Sequence, residues 1–289
     1  MTSPAATVGV VVLTMGGRPK ELEHCLTSLL AQDGVTDVLV VGNGVTPQGL
    51  DPQVRSLALA ENFGVPGGRN RGAAHVTTDL ILFFDDDAWI EQPGLIAGVI
   101  DLFAAQPRLG AVQLRIVGDD GTTMRRWVPR AHVGDPERSG PAFALAEGVT
   151  VVRRAAFEEL GGWYDKFFFG HEGVDFTWRL WDAGWEAYYA AEFPVRHPST
   201  LATRHAAFYR LNARNRVWLA RRNLPWPLVV VYLFVWSGIT SARLIRRPTA
   251  LRTWWLGFVE GWRTSPGRRA PMRWATVLRL ARLGQPPII

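Results

Sequence analysis

Three short, almost wholly apolar runs constrain this chain more than any other feature: VGVVVLT at 8–14, VTDVLVVGNG at 35–44 and DLILFF at 79–84. Runs this short and continuous suit strands covered on both faces. Between the first two, GGRP breaks the strand, and KELEHCLTSLLAQ then sets Leu22, Cys25, Leu26, Leu29 and Leu30 at helical spacing. Strand, helix and strand joined by short connections predict an α/β fold on a parallel, doubly wound sheet. Ligands of such sheets sit beyond the carboxyl ends of the strands. The third run delivers three consecutive carboxylates at such an end, in LILFFDDDAWI.

Asp85, Asp86 and Asp87 repel one another unless water or a cation compensates them. A solvated turn would account for an arbitrary run of aspartates, but the strand end narrows the choice. Alternate residues of a strand point the same way, so Asp85 and Asp87 can converge on one cation while Asp86 faces elsewhere. Carboxylates at this density suit Mg²⁺ or Mn²⁺, hard ions that bind oxygen and bridge phosphates.

The 289 residues leave room for one large domain plus an appendage, and 47% hydrophobic with 20% charged residues is a folded composition. A single cysteine, Cys25, excludes an internal disulfide and fits a reducing compartment. The opening MTSPAATVGV carries neither the basic nor the apolar segment of a secretory signal, so none is expected. Charge is unevenly spread. Residues 1–200 hold 16 Lys plus Arg against 25 Asp plus Glu, net −9, whereas residues 201–289 hold 16 Arg against Glu260 alone, net +15. Seven of the 13 tryptophans also lie in that tail. Such a break near Pro198 predicts two differently employed parts.

VVVLTMGGRPKELEHCLTSLLAQ, VVGNG, NFGVPGGRNRGAA followed by LILFFDDDAWI, and FFFGHEGVDFTWRLWDAGWEAYY with VRHP occur in a telling order. Over roughly residues 7–200 the chain resembles inverting family-two glycosyltransferases, of the rhamnosyl- and galactofuranosyl-transferase kind in bacterial cell envelopes. The resemblance implies a GT-A fold, a Rossmann-like mixed sheet flanked by helices. It divides the chain into a nucleotide-sugar half at 1–90, an acceptor half at 91–200 and a helical basic C-terminal appendage at 201–289. The implied chemistry is transfer of a sugar from a nucleotide diphosphate sugar to a hydroxyl of a glycan or lipid-linked acceptor, with inversion.

The same resemblance assigns residues. Asp85-x-Asp87 matches the family's DxD metal motif, with Asp85 and Asp86 also beside the donor and Mg²⁺ or Mn²⁺ the implied ion. Thr14 and Arg18 fall where the family contacts base and ribose, and Asn62, Gly68, Arg69 and Asn70 belong to its glycine-rich loop beside the donor. Gly42 departs from the pattern, standing where many relatives carry a base-contacting aspartate. In FFFGHEGVDFTW the usual form is Glu-Asp-x-Asp, with the first aspartate as general base, and here that place is Gly173. Glu172, the nearest surviving carboxylate, is the candidate base and Asp175 the next. A plain helix N-terminal charge is the competing account of Glu172. His197 is either a third metal ligand or diphosphate contact, or a structural residue. Trp163, Tyr164 and Asp165 suit a sugar face, although packing alone also explains Trp163.

The tail lies beyond the resemblance. No charge occurs between Arg222 and Arg243, where LPWPLVVVYLFVWSGI lies, and its prolines leave an apolar core below the ~20 residues of a bilayer span. ALRTWWLGFVEGW and MRWATVLRLARLG mix Trp, Leu and Arg at helical spacing. Such helices lie in membrane interfaces, so the expectation is attachment to an anionic membrane surface without crossing it. Packing on the catalytic part or in a homo-oligomer comes second, and nucleic acid is not an expected partner. The expected location is cytoplasmic, peripheral on the inner face of the cell membrane. A non-catalytic nucleotide-sugar or glycan-binding protein that lost its base at Gly173 is the alternative function, and the intact Asp85 and Asp87 favour the enzyme.

Overall fold

The computed structural model describes residues 6–129, 135–146, 148–199 and 207–288. The first three runs form β1 (Val8–Thr14), β2 (Val35–Asn43) and β4 (Leu80–Asp85), with α1 (Pro19–Leu30) between the first two. β3 (Arg55–Leu59) joins the edge of β2 in parallel and is largely exposed, which explains why no apolar run announced it. α3 (Leu95–Ala105), β5 (Leu109–Val117), β6 (Gly140–Pro141), β7 (Val149–Arg153), α4 (Arg154–Glu159), α5 (Glu172–Ala183) and β8 (Glu186–Arg196) complete this part. The eight strands form one sheet in the order β3-β2-β1-β4-β7-β5-β8-β6. Pairing is parallel from β3 to β4, but β7 runs antiparallel to both β4 and β5. The sheet is therefore mixed, as the GT-A resemblance implies, and not the wholly parallel sheet that the strand–helix alternation predicts.

Strand residues are apolar in both directions because both faces are covered. Val10, Val12, Leu82 and Phe84 meet Leu22, Cys25, Leu29, Ile96 and Phe103 of α1 and α3. Val11, Ile81 and Phe83 point the other way, into a core shared with Phe157, Trp163, Phe176 and Trp181.

NFGVPGGRNRGAA proves to be α2 (Gly64–Ala73), a helix and not a loop. Two of its glycines, Gly68 and Gly72, face the sheet, whereas Gly64 packs on Phe168 and lines the cavity beyond the strand ends. A Cβ on Gly68 would come within 2.5 Å of Leu13 Cδ1, and one on Gly72 within 2.5 Å of Val11 Cγ1 and 2.7 Å of Val41 Cγ2. Close helix–sheet packing, at a cost in helix propensity of about 1 kcal/mol per glycine, is what these residues serve.

The tail forms α6 (Phe208–Asn223), α7 (Trp226–Leu244), α8 (Pro248–Arg263) and α9 (Trp274–Arg282), while 201–206 fall outside the described residues. Trp218, Leu219, Leu224, Val229, Tyr232, Val277 and Leu280 enter the same core as α5. α8 lies tight on α6, with Gly257 and Gly261 set against the Arg210 and Arg214 backbone, leaving no room for side chains. Pro225 and Pro227 do not break the apolar stretch. They precede and open α7, where a missing N–H costs nothing, and the helix then runs 19 residues at a mean hydropathy of 1.5. By length and composition alone it is long enough to cross a membrane, yet Val229, Tyr232 and Leu233 are packed into the protein.

Candidate active site

The carboxyl ends of β1, β2 and β4 open into a cavity of about 730 Å³, whose walls include Thr14, Arg18, Asn62, Asp85, Asp86, Asp87, Glu172 and His197. β4 ends at Asp85, whose N–H bonds the Gly148 carbonyl at 2.8 Å at the entry to β7. A Cβ on Gly148 would overlap the Asp85 carboxylate, so only glycine lets this side chain lie where it does.

Asp86 and Asp87 lie in the turn that follows Asp85, the last residue of β4, so this turn and not the expected strand alternation parts the three aspartates. Asp85 Oδ2 and Asp87 Oδ1 stand 3.4 and 3.3 Å from His197 Nε2. One donor atom from each of the three residues falls within 4.8 Å of the others. His197 arrives from the end of β8, and its Nδ1 lies 2.8 Å from the Pro198 carbonyl, which aims Nε2 at the carboxylates. Asp86 turns aside and accepts a hydrogen bond from Thr14 Oγ1 at 2.7 Å. Arg18 pairs with both Asp86 and Asp87, and Arg69 donates to Asp85 Oδ1 at 2.6 Å.

Charges in the cluster are strongly coupled. Burial works against Asp85 ionising, but Arg69 and His197 outweigh it and hold the carboxyl at about 2. Burial pushes Asp86 up to about 6, against the Thr14 hydrogen bond, with Asp87 adding repulsion. Burial likewise raises Asp87. For His197, burial is overcome by the hydrogen bond and charge of Asp85 and the charge of Asp87, lifting it to about 8. Two carboxylates and a neutral imidazole around one point form a donor set that fits Mg²⁺ or Mn²⁺, with Arg18 and Arg69 offsetting the negative charge.

Other expected residues are placed differently. Asn62 lines the cavity, its Oδ1 accepting from Asn43 Nδ2 at 2.9 Å and from Gly64 N at 2.8 Å. Gly68 is packed on Leu13 and does not line it. Asn70 also lies outside the cavity, where its amide pairs with both the N–H and the carbonyl of Trp163. Trp163 itself is sealed among Phe83, Phe157 and Phe176, so it offers no face to a sugar. Tyr164 donates its hydroxyl to Pro266 O at 2.6 Å, tying this loop to the tail.

Glu172 opens α5 as expected, is buried, and reaches the cavity wall. Asp175 does not. It is fully buried away from the cavity, held by Arg179 at 2.8 Å, Arg222 at 3.1 Å and Asn223 at 2.7 Å. Burial would raise its carboxyl, but the two arginines and Asn223 outweigh this and keep it below the usual range. A carboxylate so compensated is a poor base, and Asp175 instead clamps α5 to α6.

Three important residues carried no recognisable signal. Asn43 closes β2 and holds Asn62, Phe63 N and Gly64 O. Its neighbour Gly42 leaves no space for a side chain, since an added Cβ would overlap Val45 O. Gly148 is the second, and Asn215 of α6 the third. Asn215 Nδ2 lies 2.9, 2.9 and 3.0 Å from the carbonyls of Phe167, Phe169 and Gly170, the loop leading to Glu172. The tail therefore helps build the site, and Ala207, Phe208 and Leu211 line it directly.

A mixed sheet carrying an acidic cluster, a histidine and paired arginines at its carboxyl edge is an α/β domain of the GT-A kind. The profile of "Glycosyl transferase family 2" matches residues 10–161, and the chain belongs to that family. It is 28% identical over 264 residues to the N-acetylglucosaminyl-diphospho-decaprenol L-rhamnosyltransferase of Mycobacterium tuberculosis, covering 75% of this chain and 85% of that one. It is 23% identical over 250 residues to the O-antigen biosynthesis protein RfbC of Myxococcus xanthus, covering 75% of this chain but only 20% of that protein. GalNAc-T7, solved with UDP, GalNAc and Mn²⁺, superposes with a TM-score of 0.65 at 13% identity, over 82% of this chain and 52% of its own. That likeness is one of fold.

Proposed function

We propose that the protein transfers a sugar, with inversion, from a nucleotide diphosphate sugar to a hydroxyl of a glycan or lipid-linked acceptor in cell-envelope polysaccharide synthesis. One observation carries this reading: the walls of a single cavity include both the Asp85–Asp87–His197 donor set and the buried Glu172. Asp85, Asp87 and His197 would hold Mg²⁺ or Mn²⁺, which supplies charge to offset the leaving diphosphate. Arg18 and Thr14 bind and orient the nucleotide end of the donor. Glu172 takes the proton of the acceptor hydroxyl as its oxygen bonds the anomeric carbon and the carbon–oxygen bond to the diphosphate breaks on the opposite face. The identity to the mycobacterial rhamnosyltransferase supports a lipid-linked acceptor and a deoxyhexosyl or hexosyl donor.

The test is a panel of nucleotide sugars, with and without Mn²⁺, read by thermal stabilisation and by release of nucleotide diphosphate. Asp87→Asn should abolish both while the protein still folds. Full activity of this variant, or of wild type in excess chelator, would overturn the metal assignment.

The tail supports peripheral attachment to an anionic membrane, on the cytoplasmic face where nucleotide sugars serve as donors. Trp226, Val230, Phe234, Trp255, Leu256, Val259, Trp262, Trp274 and Leu278 are exposed on α7, α8 and α9. Arg243, Arg246, Arg247, Arg252 and Arg263 are exposed around them, and none forms an ion pair among the described residues. Each arginine near an anionic leaflet contributes about 1 kcal/mol, screened by salt. Flotation with liposomes checks this, and equal binding to neutral and anionic vesicles would refute it.

A further inference from the structure

Beside the reaction cleft lies a second cavity of about 380 Å³. Trp178 of α5, Arg216 of α6, and Tyr232 and Trp236 of α7 line it, together with His171. Arg126, Trp127 and Ala146 belong to the walls of both cavities, so the two adjoin. His171 lines the second and its neighbour Glu172 the first.

Arg216 is the unusual feature here. It is only 8% exposed, yet no carboxylate pairs with it among the described residues. Its NH1 donates to the Tyr232 hydroxyl at 2.9 Å and its guanidinium lies 3.8 Å from the Trp236 ring centroid. Its Nε has no hydrogen-bond acceptor, and neither has the buried Nε1–H of Trp236. A buried guanidinium without a counter-ion is costly, and so is each idle donor. His171, forced neutral by burial and by Arg216 itself, supplies no compensating charge. A cavity next to the cleft, with a guanidinium in its wall that no carboxylate pairs among the described residues, has the chemistry of a phosphate site. α7 also presents Val230 and Phe234 to the outside, on the helix that carries Tyr232 and Trp236 inside.

We propose that this second cavity binds the diphosphate of the acceptor, through the side chains of Arg216 and Trp236, with the attached lipid passing over the exposed apolar side of α7. The proposal rests on the reading of the protein as a transferase with a lipid-linked acceptor. It extends that reading by assigning the acceptor's anionic group a site separate from the donor's.

The experiment uses the full chain in excess chelator, without donor, so that the Asp85–Asp87 site takes no part. Inorganic pyrophosphate is titrated while tryptophan fluorescence is followed, since Trp178 and Trp236 line the cavity. Wild type should bind, and Arg216→Gln should weaken binding roughly 10- to 100-fold, the range for losing a charged hydrogen bond. Trp236→Phe keeps the ring, removes the donor and should weaken it by a smaller factor, which keeps the test open if Arg216→Gln does not fold. No binding by wild type, or equal binding by both variants, would overturn the site. Phosphatidylcholine vesicles with and without undecaprenyl diphosphate identify the source. A gain in binding from that lipid, lost in Arg216→Gln, supports the acceptor assignment. Pyrophosphate binding without such a gain overturns it in favour of a soluble phosphate. Donor and metal are absent throughout, so failure here is distinguishable from failure of sugar transfer.

Discussion

Asn215→Ala should cost about 2–4 kcal/mol of stability and a large part of turnover, although the residue lies in the tail. Its amide nitrogen reaches three carbonyls, those of Phe167, Phe169 and Gly170. An amide has two N–H groups, so two full hydrogen bonds are made at a time. The Phe167 carbonyl keeps Arg214 and the Phe169 N–H as donors, but alanine takes the Asn215 donor from the Phe169 and Gly170 carbonyls in a site where Asn215 is fully buried, at about 1–2 kcal/mol each. For a chain of this size that lowers Tm by roughly 4–16 °C. The loop includes Phe168, held at φ 65°, and leads to Glu172. A displacement of about 1 Å at a reacting group can cost on the order of 10²-fold, so kcat should fall with stability. Urea unfolding and steady-state kinetics on the same preparations measure both. Asn215→Asp, which keeps the shape but turns an acceptor toward carbonyls, should be at least as damaging. A loss below about 0.5 kcal/mol with kcat unchanged would refute the claim that the tail holds the loop.

Three further outcomes follow from particular contacts. Glu172→Gln keeps the shape but removes the basicity, so kcat should drop by a factor on the order of 10²–10⁴ with donor affinity nearly unchanged; normal transfer by this variant would remove Glu172 as the base. Gly148→Ala must displace the Asp85 carboxylate, so Mn²⁺-dependent stabilisation by a nucleotide sugar should vanish while the fold survives; calorimetry that finds wild-type metal affinity would contradict the packing seen here. His171 is held well below its ordinary 6.5 by burial and then by Arg216, so the folded chain refuses a proton that the unfolded chain accepts. Stability should therefore be complete above pH 6.5 and decline as pH falls below it. His171→Asn, compatible with the positive φ of 74° there, should reduce that decline in phosphate-free buffers; identical pH profiles for the two proteins would count against a neutral buried histidine.

What could be read in the sequence was local. Apolar runs marked β1, β2 and β4, helical spacing marked α1, and the aspartates at the end of β4 marked the candidate cation site. These signals follow from side-chain periodicity and charge, which neighbours in the chain determine on their own. Tertiary structure decided the rest. It set β7 antiparallel between β4 and β5, because pairing partners distant in sequence leave no periodic trace. It set Gly68 and Gly72 against the sheet, since only the approach of α2 to β1 and β2 shows what their missing side chains avoid. It gave Glu172 and Asp175, three residues apart in the first turn of α5, different surroundings, one at the cavity wall and one locked to Arg179 and Arg222. It brought His197 to Asp85 and Asp87, and Asn215 to the loop before Glu172, across spans where sequence spacing says nothing. Local pattern determines which elements form; which polar groups become buried together, and so which are chemically active or merely structural, depends on how those elements pack.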